Sequence, residues 1–322
     1  MCYNIMTKII VIGSATRDIF IDAENLKKGK NLCFPFGEKT EIKKVRFFSG
    51  GGGINAATAF ALQGLKTGFC GVVGQDLIGT EIIKELKEKG IDASLLKTKK
   101  DKATDLGIIF HANKERTIIL SHGASRSLDQ KDINLKKLKN ADWIYIAPLW
   151  GKSSYLTKKL ISFAKRNKIK TALNPSLDQL SLKGISRIIN QVDVLILNSQ
   201  EASFLTKIKP FQEKSVIYKI ASLTKAIVII TKGKNGALAF DNTFLYNVPA
   251  QKIKVIDATG AGDSFGSGFV AGLIKENNME KALILAMSNA VANIKVIGAN
   301  QGLLKKGQSL LKIKIRKTKW SA

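Results

Sequence analysis

The sequence predicts an α/β fold: a doubly wound, mainly parallel central sheet flanked by helices, with a small β-sheet lid. Two observations carry this. Short apolar runs recur along the chain, and segments of helical spacing, roughly ten to fifteen residues long, separate them, as βαβ units require. Two other stretches alternate like paired strands and interrupt the rhythm, so they read as insertions. At 322 residues the chain can bury one large core, and no internal repeat is visible.

The first run, KIIVIGS (Lys8 to Ser14), ends in Gly-Ser as a buried strand should. Asn31 to Gly50, NLCFPFGEKTEIKKVRFFSG, reads as paired strands around the turn FGEK. INAATAFALQG is a helix rich in small residues, TGFCGVVG a strand, and GTEIIKELKEKG an amphipathic helix. Thr104 to Gly123 reads as a second hairpin, around ANKE. The alternation resumes with the strand ADWIYIA, the helix SSYLTKKLISFAKRNK, and the strands KIKTALN, VDVLILN and KAIVIITKG. The end, SLLKIKIRKTKW, alternates Ile with Lys and Arg, which fits an edge strand or a basic tail. The chain therefore divides into a main domain over 7–304, with lid strands near 19–48 and 105–121, and a tail or edge strand over 305–322.

Composition excludes several classes. Apolar content of 45% and charged content of 24% are ordinary globular values. No run approaches the roughly 18 apolar residues of a membrane helix, and the apolar stretch Ile9 to Ile12 is too short for a signal peptide, so a cytoplasmic protein is expected. Cys2, Cys33 and Cys70 form no CxxC pair, and His111 and His122 are the only histidines, which argues against a disulfide framework or a zinc site. The net charge of +27 raises the question of a nucleic-acid partner. Arginine, the residue that reads bases, is scarce, and the lysines are spread along the chain. The charge is therefore read as a lysine-rich surface whose field attracts anionic phosphometabolites, with no nucleic acid expected.

Nucleotide motifs are tested next. A P-loop needs GxxxxGK[ST], but Ile146 stands where the first glycine before Gly151-Lys152-Ser153 belongs. GSATRD after the first strand has one glycine, so the dinucleotide fingerprint is also missing. DATGAGDSFGSGF (Asp257 to Phe269) is different. A glycine-rich turn feeding a helix exposes unpaired N–H groups at the positive end of the helix dipole, which suits an anion. Gly260, Ala261 and Gly262 lack the bulk to keep one away, and Asp263 lies within reach of what that anion meets. Read alone, Asp263 is an N-cap worth about 1 kcal/mol. A cap does not need glycines on both sides, and Gly266 and Gly268 weaken the helix unless something approaches it closely. A second cluster, SGGGGINAATAF (Ser49 to Phe60), reads as a hinge or as backbone approached by a polar ligand, with Asn55 the first polar side chain.

Together these clusters resemble the two signatures of the ribokinase-like (pfkB) carbohydrate kinase family: GGGGINAA with GVVGQDLIG, and DATGAGDSFGSGFVAGL. The resemblance runs from about Lys8 to Leu304, and includes N-x-x-E at Asn198 and Glu201 and the turn TKGKNG, Thr231 to Gly236. It implies a ribokinase-like fold and ATP-dependent phosphorylation of a sugar hydroxyl, pentose or hexose, beneath the lid. By resemblance Asp263 is the general base, and Gly260, Ala261 and Gly262 form the anion hole for the transferring phosphoryl group. Asp18, Gly51 and Asn55 match the acceptor pocket; Asn198, Thr231, Gly233 and Asn289 match the nucleotide side. Glu201 resembles the residue that holds Mg²⁺ through water, and Asp257 and Thr259 stand where relatives bind a monovalent cation such as K⁺. Read without the family, Asn198 and Glu201 are a helix cap and a surface acid, and Asp18 a loop acid.

Gly52 stands where ribokinases proper often carry lysine, and Arg17 before Asp18 is another departure. The alternative acceptor is adenosine or another nucleoside, for which Phe34, Phe36, Phe47 and Phe48 are candidate lid residues. A non-catalytic relative that binds a phosphorylated ligand is the other class of reading, and the resemblance also allows a homodimer joined through the lids.

Overall fold

Ile9, Ile10, Val11 and Ile12 have no exposed surface, which explains the unbroken apolar run of β1 (Lys8–Ile12): a parallel strand is covered on both faces. The computed structural model describes residues 7–112 and 115–320. The next strands are β2 (Thr16–Asp22), β3 (Lys27–Lys28), β4 (Asn31–Leu32), β5 (Val45–Gly50), β6 (Lys66–Gly74) and β7 (Asp92–Lys99). They are followed by β8 (Asp105–Ala112), β9 (Glu115–Ser121), β10 (Trp143–Ile146), β11 (Lys170–Leu173) and β12 (Val194–Asn198). The last are β13 (Ile227–Thr231), β14 (Ala237–Phe240), β15 (Phe244–Val248) and β16 (Arg316–Lys319).

Ten strands form the central sheet in the order β16-β15-β14-β13-β12-β11-β10-β1-β6-β7. It is parallel from β13 to β7 and antiparallel from β13 through β16. The strand order reverses beside β1, whose neighbours β10 and β6 lead away in opposite directions. The crevice at the carboxyl ends of these strands is where open α/β sheets bind ligands. Two apolar clusters cover the faces, one containing Ile9 and Val11, the other Ile10 and Ile12. This split is the period-two alternation of a strand.

The small sheet has the order β5-β2-β8-β9. β8 and β9 form the expected hairpin, although Asn113 and Lys114 of its turn, like Cys2, lie outside the described residues. The expected hairpin around FGEK does not form. β5 instead pairs antiparallel with β2, and the FGEK loop carries no strand. One reason is local fit: a Cβ at Gly50 would overlap the Asp18 carboxylate across the pair, so this glycine-ended strand can lie beside Asp18. β16 runs along β15 as the edge of the large sheet, so part of the basic tail belongs to the main sheet.

The glycines after Asp263 answer to packing. Helix Ala261–Glu276 lies against helix Met279–Asn293. A Cβ at Gly268 would stand 3.1 Å from the Ala286 Cα, and one at Gly272 2.6 Å from the Ala282 Cα. What approaches that backbone is the neighbouring helix.

Candidate active site

Gly260 precedes helix Ala261–Glu276 with φ +72°, and a Cβ there would overlap the Ala299 carbonyl oxygen. Both facts call for glycine. The Ala261 N–H reaches the Ala258 carbonyl only at 3.4 Å, and the Ser264 N–H closes the first firm bond, 2.8 Å to the Gly260 carbonyl. Among the described residues no carbonyl takes the N–H of Gly262 or Asp263. Gly262 is exposed, and no atom lies within 4 Å of where its Cβ would be. Bare amides thus open into free space at the positive end of a 16-residue helix.

The second glycine cluster starts its own helix, Gly52–Leu62, with Gly51 at φ +88° before it. One turn in, the Asn55 side-chain amide donates 2.8 Å to Asp263 Oδ2. Asn55 Oδ1 accepts from the Asn300 amide at 2.8 Å, and that same amide donates to the Ser49 carbonyl at 2.8 Å. Asp263 is therefore aimed by a chain of amides. Burial pushes its carboxyl above the ordinary carboxylate range, and the Asn55 hydrogen bond opposes the shift.

Asp18 lies on the buried face of β2 with Thr16 and Phe20. Its carboxyl is pushed up to about 7, first by burial and then by the charge of Asp257. No donor among the described residues bonds it. Arg17, on the opposite face, is held at 2.5 Å by both Glu81 and Glu85 of helix Leu77–Glu88, and so takes no part in the site.

Asp18, Gly51, Asn55, Thr259, Gly260 and Asp263 all border one cavity of about 240 Å³. Ser14 and Thr16 add hydroxyls, while Leu106, Ile109, Ile118 and Leu120 supply an apolar lid wall and Trp150 another apolar surface. His122 and Asp105 also border it. Asp105 is buried and accepts from the Gly123 N–H at 3.0 Å and from the backbone and hydroxyl of Ser125.

The expected nucleotide residues lie apart from this cavity. Asn198 ends β12 opposite Thr231 at the end of β13. Asn198 caps helix Ser199–Thr206: its Oδ1 accepts from the N–H groups of Gln200 and Glu201, and Glu201 Oε2 accepts from the Asn198 N–H at 2.8 Å. The Glu201 carboxyl is pushed up to about 7, chiefly by burial, with the Asn198 N–H opposing and the charge of Asp263 adding. Gly233 stands at φ +53° with open space where a Cβ would point.

Three sets of expected residues are engaged elsewhere or lie off the cavity. Asn289 is 1% exposed; its amide donates to the Ser264 carbonyl at 2.8 Å and its oxygen accepts from the Leu304 N–H at 2.9 Å. These bonds tie the late helices together and hold the Asn289 side chain inside the protein. Asp257 and Thr259 are likewise engaged. Asp257 Oδ1 accepts from the Thr259 N–H at 2.9 Å, the Thr259 hydroxyl at 2.6 Å and Arg116 Nη1 at 3.1 Å, and Oδ2 from the Gly298 N–H at 3.0 Å. Arg116 is thus the cation that stands against Asp257 in this structure. Phe34, Phe36, Phe47 and Phe48 do not border the cavity. Phe34, Phe36 and Phe47 are exposed, and Phe48 packs on Phe20.

The model of the pfkB family carbohydrate kinases matches residues 6–306. The chain belongs to this family. A ribokinase of Haemophilus influenzae is 26% identical over 312 residues, covering 94% of this chain and 97% of its own. A cytidine kinase of Thermococcus kodakarensis is 24% identical over 291 residues, covering 88% and 95%. The structure of an Arabidopsis thaliana ribokinase complexed with ribose and ATP superposes with a TM-score of 0.74 at 22% identity, covering 94% of this chain and 96% of its own. The ribokinase-like fold and the standing of this chain as a carbohydrate kinase follow from these matches.

Asn300, Asp105, His122, Trp150 and Arg116 belong to the site region and were not visible in the sequence. Each sits outside the glycine clusters, and Asn300 and Arg116 meet their partners only through long-range folding, so no local spacing marks them. The clearest signal available was the pair Asp105 and Ser125 flanking the lid hairpin.

Proposed function

We propose that the chain transfers the γ-phosphoryl group of ATP to a hydroxyl of a pentose or hexose. The observation that carries this is the joint placement of Asp18 and Asp263 on one small cavity beside the open amides of Gly262 and Asp263. At about 240 Å³ the cavity is smaller than the roughly 300–1,000 Å³ of drug-sized pockets, which suits a small polyol. Asp18, a buried acid without a donor among the described residues, accepts from sugar hydroxyls. Those bonds offset the cost of ionising it.

Asp263 takes the proton from the attacking hydroxyl, whose oxygen forms the new bond to the γ-phosphorus. The old bond breaks with its electron pair leaving on ADP. The bare amides stabilise charge on the transferring group, and Asn55 keeps the base aimed. Glu201 suits Mg²⁺: one carboxylate oxygen is capped by Asn198, the other has no donor among the described residues, and burial works against its ionisation. Held there through water, Mg²⁺ would offset phosphate charge.

A nucleoside acceptor is the second reading, favoured by the apolar wall of Leu106, Ile109, Ile118 and Leu120 with Trp150 and by the related cytidine kinase. A panel of pentoses, hexoses and nucleosides with ATP and Mg²⁺ decides between them. Turnover confined to free sugars supports the first reading, turnover confined to nucleosides replaces it with the second, and no turnover on any acceptor counts against both. Exposed Val45, Phe47 and Ile119 on the lid favour a homodimer through the lids, testable by light scattering.

A further inference from the structure

The turn before helix Ala261–Glu276 is braced by a cation that belongs to the protein. We propose that Arg116, carried by lid strand β9, is the fixed counter-cation of the anion-binding turn, so that the protein functions without a monovalent ion. The activity arm of its test rests on the kinase reading above; the stability arm does not.

Asp257 is the acid at stake. Its side chain has no exposed surface, and Arg116 Nη1 stands 3.1 Å from Oδ1. Both carboxylate oxygens already accept backbone or side-chain donors. Two nearby carbonyls already accept from the protein: the Asn293 amide donates to the Thr259 carbonyl at 3.2 Å and to the Ala299 carbonyl at 2.9 Å. A second cation entering here would meet N–H groups and a guanidinium, and would be repelled by both. Asp18 and the His111 ring also feel the charge of Asp257; burial holds His111 below its ordinary value, with Asp257 opposing that shift and Arg116 adding to it. Arginine suits this role because its charge is permanent and its planar fork stays ordered.

The geometry has a consequence for the lid. Arg116 and Asp257 are 141 residues apart in sequence. Thr259, bonded to the same Asp257 oxygen, directly precedes Gly260. Docking of β9 therefore braces the turn that presents the bare amides, and a displaced lid leaves a buried carboxylate without its counter-charge, a costly state.

The test compares the ligand-free protein and its turnover in potassium chloride and in tetramethylammonium chloride at equal ionic strength. Wild type should show the same melting midpoint and kcat in both. Arg116→Gln should lower the midpoint and reduce kcat by about tenfold or more, the size of coupling usual between linked sites. Arg116→Lys, which keeps the charge, should recover most of both. In an Asp257→Asn background, Arg116→Gln should cost little further, because the partner charge is gone. The proposal is overturned if potassium raises the wild-type midpoint or raises kcat more than about twofold, the latter less than the roughly fivefold lower end of linked-site coupling. It is also overturned if Arg116→Gln melts like wild type. The melting arm decides even if no acceptor is ever phosphorylated.

Discussion

Asp18→Asn should make the ligand-free protein more stable while disabling it. The wild-type carboxyl is 7% exposed and is pushed from its ordinary 3.8 to about 7 by burial and by Asp257. A folded-state pKa above the unfolded one means that the group favours folding fully below about pH 4 and loses that contribution as pH rises toward 7. The gap of about three pH units, at about 1.4 kcal/mol each, is about 4 kcal/mol. Replacing the acid by its neutral isostere removes that cost, so urea unfolding at about pH 8 should show a gain of up to about 4 kcal/mol. At about pH 5 the wild-type acid is already protonated in the fold, and the gain should narrow to under about 2 kcal/mol. The same variant should lose affinity for its acceptor, seen as a raised KM, because an amide offers one neutral acceptor oxygen where a carboxylate offers two charged ones. No gain at pH 8, or a gain that ignores pH, refutes the reasoning that a buried carboxylate, without a donor among the described residues, waits for the acceptor.

Burial also raises Asp263, so the acid limb of kcat/KM should fall above the ordinary carboxylate value; a limb at or below it, measured in a pH series, contradicts the assignment. Gly260→Ala should cost about 2 kcal/mol or more, because its φ of +72° and the Ala299 carbonyl both exclude a Cβ. Gly262→Ala, facing open space, should leave the urea midpoint nearly unchanged. Asn289→Ala should lower stability by about 2 kcal/mol through two broken buried hydrogen bonds while leaving the KM for ATP unaltered; a large rise in that KM restores Asn289 to the nucleotide side.

The sheet was legible where strands are buried on both faces. β1 and β6 read as continuous apolar runs and fold as such. β7 did not read as a strand, because this sheet edge is half polar, with Ser94 and Lys97 among its residues. β14 and β15 were missed because each is short and follows a strand on an antiparallel return. The lid's internal pairing was the larger miss: β5 reaches back past the FGEK loop to β2, a choice made by side chains around Asp18 that local turn chemistry does not encode.

In the site, the turns at Gly51 and Gly260 announced themselves through their glycines, while the roles of Asp263 and Asn55 came from the family resemblance. The amide chain through Asn300 and the Arg116–Asp257 pair could not be read, since each joins residues more than a hundred positions apart. Gly266 and Gly268 show the opposite error. Their signal was real, but its cause is close packing: Gly266 against Tyr145 and Ile196, and Gly268 against the neighbouring helix.

The central claim is that the carboxylate of Asp263 removes the hydroxyl proton while neighbouring amides hold the phosphoryl charge. Its most direct test is the single-turnover rate of γ-phosphoryl transfer in Asp263→Asn against wild type, on whichever sugar the panel identifies, with acceptor binding followed by calorimetry. The account predicts near-normal binding, an unchanged circular dichroism spectrum and a rate reduced about 10²–10⁴-fold. A variant that transfers phosphate at close to the wild-type rate contradicts it.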